Sequence, residues 1–575
     1  MATYDNHGKP QLKQQHPSLE TLPWEILNLI LLKLPRRELA IISTLSRRLY
    51  KTATPLVRRY AVVRVSSHPK LGMVVVGRTT NIKHLLNYLS FTGLQYTRDL
   101  TFHTEYHLGD YICASDYADE LNQLGEQEEN ELKRWYKDGS DLVKLLELIP
   151  DNSLRSFKWF LGSCLPKQIA SKGGYLPERQ KAITSLSLFT CASTCSYYDE
   201  YDESDGVDFT QFRSLETLEW TGLAGKCNLR ALQSCLRASA TTLKDLHLGF
   251  LSDRISLDAG TQPAFMLSRV FGLEREEHRL LFPSLETLSL RFAPIGSNPA
   301  QIASVFPWEK LRTLRLHGGV DTCELLQTVA DTGRLLKRLR RLEYLYDSPY
   351  PQHDSISSLD ALVSFMDACE VLEDVFLVIQ NPTTAYLEAL PRYSRTMKRL
   401  VYHQRRRIDS PSFGLPRVCD LPNIKGTGLL RVLETAKLDY LGVCIEPVDL
   451  IAYLIDVFPR PTIRVLHIRA HHTSLTWSHA VYQEVTRELG ALAMWAFGSD
   501  GLPELQLLIW GDTSNDFRAP YNRYLVRVPG VEAPNSTFRE ISVDEVRRLR
   551  VVEEHKHALE ACPIESVGAR GCVPF

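Results

Sequence analysis

Cysteine is scarce in this chain, long apolar runs are missing and net charge is nearly absent, and each shortage closes off a class of protein. The 12 cysteines are spread through 575 residues, far below the density of disulfide-stapled secreted domains, so they read as reduced thiols. Cys191 and Cys195 form a CASTC pair, but no second Cys or His pair stands at zinc-finger spacing, which makes them packing or loop residues. No stretch approaches the roughly 18 apolar residues of a membrane span, and the polar opening MATYDNHGKPQLKQQHPS has no apolar signal core. The expectation is a soluble, unsecreted protein, cytoplasmic, nuclear or both. Lys and Arg number 67 against 68 Asp and Glu, which leaves no overall field to attract nucleic acid or anionic lipid. Partners are therefore expected to be proteins recognised locally, with no nucleic acid and no membrane among them.

Catalytic motifs are missing as well. A hydrolase or transferase needs a nucleophile beside an oriented base, or two carboxylates held together, and neither GxSxG nor HExxH occurs. His103, Glu105 and His107 in HTEYH look metal-like, yet on a strand the two imidazoles share one face with no third ligand. No enzymatic activity, no cofactor and no metal are expected. The run from Asp199 to Asp208 holds six acids and reads as a solvated acidic loop. Arg334, Lys337, Arg338, Arg340 and Arg341 form one basic cluster and Arg405 to Arg407 a second; both are candidates for a nuclear-import or acidic-peptide patch, although an exposed face needs no such role.

What is present is core material: 44% of the residues are hydrophobic and 23% charged, a globular balance. At this length one core is not enough, so several domains or one elongated repeat domain are expected. From Leu22 the chain reads LPWEILNLILLKLPRRELAIISTLSRRLYKTATP. Leu22, Ile26, Leu29, Ile30 and Leu34 fall at helical spacing, with Pro23 suited to a first turn and Pro35 marking a break. A second segment stripes Leu39, Ile42 and Leu45 and is expected to stop at Pro55. Two or three short helices in so few residues cannot bury these side chains among themselves, so the leftover apolar face is a docking site.

Leu22-Pro23, Glu25-Ile26, Ile30, Leu34-Pro35, Leu39 and Leu45-Ser46-Arg47 resemble the pattern of the F-box family, although Leu49-Tyr50 stand where many members carry a Trp. The resemblance implies docking on a Skp1-type adaptor, and through it on a cullin scaffold, with Leu22, Pro23, Ile26, Ile30, Leu34, Pro35, Leu39, Leu45 and Leu49 as the adaptor-binding residues. The alternative is that these helices merely cap the domain that follows.

Beyond residue 95 the pattern Leu-x-x-Leu-x-Leu recurs. It is seen from Leu154, Ile183, Leu215, Leu243, Leu285, Leu311, Leu342 (imperfectly), Leu372, Met397, Leu438, Ile463 and Leu505, at spacings of 25 to 42 residues. TRDLTF at 97–102 reads as an earlier degenerate copy. Segments such as those from Asn228, Asp360 and Pro447 are apolar at helical spacing. No GxGxxG or GxxxxGK(S/T) supports the alternative of a doubly wound sheet. The chain thus resembles an F-box protein with irregular leucine-rich repeats, of the kind found in fungi. The fold class expected is α/β: an N-terminal short-helix F-box followed by a curved leucine-rich-repeat solenoid with a parallel sheet on its concave face.

The expected division is a flexible tail at 1–17, the F-box at 18–60, a linker with degenerate first repeats at 61–150, the array at 151–512 and a C-terminal cap at 513–575. The cap is read as a charged helix over Val543 to Ala561 that closes the open end. Residues between the repeat leucines point outward: His247, Arg291, Arg315, His317, Tyr344, Tyr346, Phe376, His403, His467 and Arg469. Of these, Arg315, His317, Tyr344, Tyr346, Phe376 and His403 are expected to bind a target protein, since Arg and aromatic side chains are common hot spots. The resemblance to the F-box family implies a substrate-recognition subunit of an SCF-type (Skp1-cullin-F-box) ubiquitin ligase, with a non-ligase leucine-rich-repeat scaffold as the alternative.

Overall fold

The computed structural model describes residues 19–68, 72–75, 80–81, 94–103, 139–161, 165–190, 207–223, 225–250, 266–274, 277, 279–295, 298–318, 322–346, 357–380, 385–405, 428–469, 479–511, 513, 522–528 and 538–562. Glu105, His107, the CASTC pair, Arg406, Arg407 and all but the end of the acidic run lie outside these residues.

The chain begins with α1 (Trp24–Leu31), α2 (Arg36–Ile42) and α3 (Arg47–Val57). Pro23 and Pro35 stand at the N-caps of the first two, where a missing N–H costs nothing. The Ser46 hydroxyl caps the third by accepting from the Leu49 N–H at 3.3 Å. Pro55 does not stop α3, which runs through it to Val57. Leu27, Leu31, Leu39, Leu49 and Ala53 form a small core of their own, margined by Leu22, Leu34, Ile42, Leu56 and Val57.

One residue pair after α3 the first strand begins, β1 (Tyr60–His68). Its outer half carries an antiparallel ribbon of β2 (Gly72–Val75) and β3 (Thr80–Asn81). Its first half pairs in parallel with β4 (Asp99–His103). The sheet then grows one strand at a time in sequence order, through β5 (Ser156–Phe160), β6 (Ser185–Phe189), β7 (Thr217–Leu223), β8 (Asp245–Phe250), β9 (Thr287–Arg291) and β10 (Thr313–His317). It continues through β11 (Arg341–Leu345), β12 (Asp374–Gln380), β13 (Arg399–Arg405), β14 (Tyr440–Val443), β15 (Val465–Arg469) and β16 (Leu507–Gly511), all parallel. Two antiparallel strands, β17 (Arg523–Arg527) and β18 (Phe538–Glu540), finish it, and the sheet does not close on itself. Helices alternate with the strands, among them Gly225–Ser239, Ser357–Ala368 and Pro447–Ile455 at the three places the sequence periodicity marks. None of the described helices is long and apolar enough to cross a membrane.

A backbone ladder fixes the register. The carbonyl just before each strand accepts two N–H groups from the next repeat, as Arg98 O does from Arg155 and Ser156, Arg312 O from Arg340 and Arg341, and Arg464 O from Gln506 and Leu507. Equivalent residues are thereby held level, so the pattern leucines stack in layers and bury together in one continuous core. TRDLTF belongs to this series, with Leu100 and Phe102 buried on β4.

The register corrects one repeat. Leu342 lies opposite Leu314, Tyr344 opposite Leu316 and Leu345 opposite His317, so the copy begins at Leu339, not Leu342. The run LRRLEYL offers leucines at 339, 342 and 345, and two frames satisfy the first spacing. Only the frame with Tyr344 in the last inward place is in phase with its neighbours.

The C-terminal segment is also placed differently from the expected cap. Instead of one charged helix it forms short turns of helix at Val543–Val546, Arg550–Glu554 and Lys556–Leu559. They lie across the concave face of β11–β16, not over the end of the sheet. Ile541, Val546, Val551, Ala558, Leu559, Ala561 and Cys562 pack there against Leu345, Phe376, Val378, Val401, Tyr440, Val465, Leu507 and Ile509. Burying these apolar faces against each other is what draws the segment back over the sheet.

Candidate functional site

Two surfaces carry the candidate functional residues. The first is the outside of the helical bundle. Helix α1 turns Leu27 and Leu31 inward, which leaves the stripe with Ile26 (45% exposed) and Ile30 (38%) facing solvent. Pro23 and Pro35 are exposed with them, and Leu45 at the α2–α3 corner is 64% exposed. Leu22 and Leu34 are half-buried at the margin. Leu39 and Leu49 are interior, so they hold the bundle together and do not face a partner. Sequence reading missed Trp24 and Ile41, both exposed, and treated Leu29 as helix patterning alone; of the Leu49-Tyr50 pair it is Tyr50 that is exposed. So many exposed large apolar residues on one small unit mark a contact surface. Arg48 reinforces it by donating to the carbonyls of Glu20 and Leu22, tying the entering chain to α3.

The second surface is the concave sheet, where three rows of side chains face outward. On β4–β10 the rows are mostly polar, including Thr101, Lys158, Ser187, Glu219, His247, Ser289 and Arg315. From β11 onward Leu345, Phe376, Val378, Val401, Tyr440, Val465, Leu507 and Ile509 enter these rows beside Glu343, Asp374, Arg399, His403, His467 and Arg469, and the C-terminal segment packs on the apolar ones.

At the boundary sits Glu343, buried on β11. Its Oε1 accepts from His317 Nε2 at 2.9 Å and from the Cys562 backbone N–H at 2.7 Å. Its Oε2 lies 3.2 Å from Arg315 Nε. Burial alone would raise this carboxyl, but the His317 ring, the Arg315 guanidinium and the Cys562 N–H hold it down at about 2. Burial pushes the His317 imidazole down, against the pull of Glu343. His247 is likewise lowered by burial, with Glu219 opposing. Arg291, lowered by burial with Glu343 and Glu219 opposing, makes no ion pair among the described residues.

Deeper under the segment, His467 donates Nε2–H to Gly511 O at 2.9 Å, which leaves Nδ1 to accept from the Tyr440 hydroxyl at 2.7 Å. Burial and Arg469 push this imidazole down to about 3. Asp374 is wedged between two arginines, Arg399 Nε at 2.6 Å and Arg341 Nε at 2.9 Å.

The six expected target-binding residues are therefore not one open surface. Arg315 and His317 are committed to Glu343. Tyr344 points into the main core, and Tyr346 packs half-buried against it. Phe376 is buried beneath the C-terminal segment, and His403 is buried on β13. His467 and Arg469 are buried too. Of the outward residues read from sequence, His247, Arg291 and Tyr346 are partly accessible, as Arg315 is. Of the first basic cluster, Arg334, Arg340 and Arg341 pair with Glu309, Glu373 and Asp374. Cys235, Cys323, Cys369, Cys444 and Cys562 are in no disulfide, with Cys235 and Cys369 each pushed up to about 12 by burial. No cluster of metal-ligating side chains occurs among the described residues.

Residues 19–57 match the F-box domain family, the same three helices that carry the exposed apolar surface. No curated protein matches the chain.

Proposed function

We propose that the protein is a substrate-recognition subunit of an SCF-type E3 ubiquitin ligase, without catalytic activity of its own. The observation that carries this reading is the F-box match at residues 19–57 on a bundle whose Ile26, Ile30 and Leu45 are exposed. The F-box docks a Skp1-type adaptor, which connects the chain to a cullin scaffold. The strand and helix units that follow are read as irregular leucine-rich repeats, and they present a target protein to the ligase. Target contact is assigned to the stretch of the concave face around Glu219, His247, Arg291 and Arg315, partly exposed among the described residues.

The test is capture of a Skp1-type adaptor by the intact chain and by a chain lacking residues 19–57. Capture by the first and not the second supports the ligase reading. Absence of capture by both would leave a stand-alone interaction scaffold.

A further inference from the structure

We propose that the concave face of β11–β16 is a peptide-binding groove, held in cis by residues 541–562, and that a partner segment of the same chemistry enters it by displacing them. This rests on reading the repeat domain as target-recognising, and it adds a second site to the partly exposed stretch around His247 and Arg315.

The groove has the features of a built peptide site. Its floor carries an apolar cluster, from Leu345 on β11 to Leu507 and Ile509 on β16, interspersed with Glu343, Arg399, His467 and Arg469, whereas the same rows on β4–β10 are mostly polar. Its polar side chains address the backbone of the occupant. Glu343 accepts from the Cys562 N–H, Arg469 donates to the Cys562 carbonyl, Arg399 donates to the Glu554 carbonyl at 3.4 Å and Thr513 to the Leu559 carbonyl at 2.7 Å. Arg464 pairs with the Glu554 side chain at 3.0 Å. Backbone recognition of this kind gives affinity for a chain conformation, while the floor selects side chains. The ligand defined by these contacts is a short turn-forming peptide with apolar side chains where Val551 and Leu559 sit. It has small ones in place of Ala558 and Ala561, and an acidic one in place of Glu554.

Two observations show that the occupant fits imperfectly and can leave. His555 is buried with neither ring nitrogen hydrogen-bonded, and Arg469 is buried with Nε and Nη1 unbonded. Buried polar groups without partners lower the cost of opening. The segment also packs in a cluster separate from the continuous core of the repeats, so its departure need not unravel the sheet.

Hydrogen–deuterium exchange on the full chain tests the first half of the proposal. The amides of Val546, His555, Ala558 and Cys562 are expected to exchange at least about tenfold faster than those of β11–β16, by local opening. Equal rates would mean that the segment leaves only when the whole domain unfolds, and would overturn it. The second half uses a labelled peptide of residues 541–562 as probe, against the full chain, the Leu559→Asp chain and a chain ending at Glu540. Binding to both altered chains, and at least about tenfold weaker binding to the unaltered one, is expected. Failure to bind a truncated chain that keeps its circular dichroism overturns the proposal, and so does loss of that signal on truncation, which would make the segment part of the fold. Adaptor capture takes no part in either arm, so the ligase reading stands or falls separately.

Discussion

At the scale of single residues, burial decides which charges matter. Asp374 is almost fully buried between Arg341 and Arg399, so Asp374→Asn should leave two guanidiniums without a counter-charge and cost about 3 kcal/mol or more. Lys244 and Glu216 form a pair at 3.0 Å with both side chains half exposed, and Glu216→Gln should cost less than about 1 kcal/mol. Urea denaturation of the two variants checks the contrast; similar losses would mean that burial is not the deciding variable. His467 predicts the response to acid. Its pKa is depressed from 6.5 to about 3 in the folded chain, so below pH 6.5 the unfolded chain takes up a proton that the folded one refuses. Stability is then fully present above pH 6.5 and is lost as pH falls toward 3, at up to about 1.4 kcal/mol per unit. Glu343, lowered from 4.5 to about 2, adds a further loss only below pH 4.5. His467→Gln keeps a donor for Gly511 and an acceptor for Tyr440 but cannot titrate. Its Tm should fall less steeply than that of the unaltered chain between pH 7 and 5, and parallel curves would remove His467 from the account. Tyr344 marks what a residue-level reading cannot reach. Whether it points in or out depends on a frame that LRRLEYL leaves open, and only pairing with β10 selects it.

At the scale of elements, the bundle and the strands show the same ambiguity in different forms. Helix α1 is apolar on more than one stripe, and spacing alone does not say whether Leu27 and Leu31 or Ile26 and Ile30 turn inward. The docking of α3 resolves it. Ile26→Asp with Ile30→Asp should therefore abolish adaptor capture while changing stability by no more than about 0.5 kcal/mol each. Leu49→Ala should cost about 2–5 kcal/mol because it empties the interior. Capture measured beside thermal melting separates the two, and loss of folding in the aspartate variants would show that this stripe is structural. Among the strands, repeat leucines were legible because one face alternates with another, as in β9 and β10. In β12, β15 and β16 the alternation disappears, and VFLVI, VLHI and LLIW are buried on both faces. A continuous apolar run is the sequence mark of a doubly covered strand, and it was the available sign that something lies over the concave side there.

At the scale of the whole molecule, the α/β solenoid behind a helical bundle was legible because each repeat states its own pattern and contacts mainly its neighbours. The return of the C-terminal segment was not, since no local pattern encodes a contact so far along the chain. The distinction is testable through two leucines of adjoining repeats. Leu314→Ala empties the continuous core and should cost about 2–5 kcal/mol of global stability. Leu345→Ala removes a side chain from beneath the C-terminal segment, so proteolysis after residue 540 should quicken while the repeat core melts nearly as before. Equal drops in the main transition would mean that the two clusters unfold as one.

The bond from the Cys562 N–H to Glu343 spans 219 residues of chain. A repeat array can assemble strand by strand as it is synthesised, since each strand needs only its predecessor, but this contact waits for its last partner. At roughly 5–20 residues per second, the ribosome delivers Cys562 about 10–45 s after Glu343. The trough itself is complete only when β16 ends at Gly511, so for the last part of that interval, about 3–10 s at the same rate, the nascent domain presents a finished, greasy trough with nothing of its own to fill it.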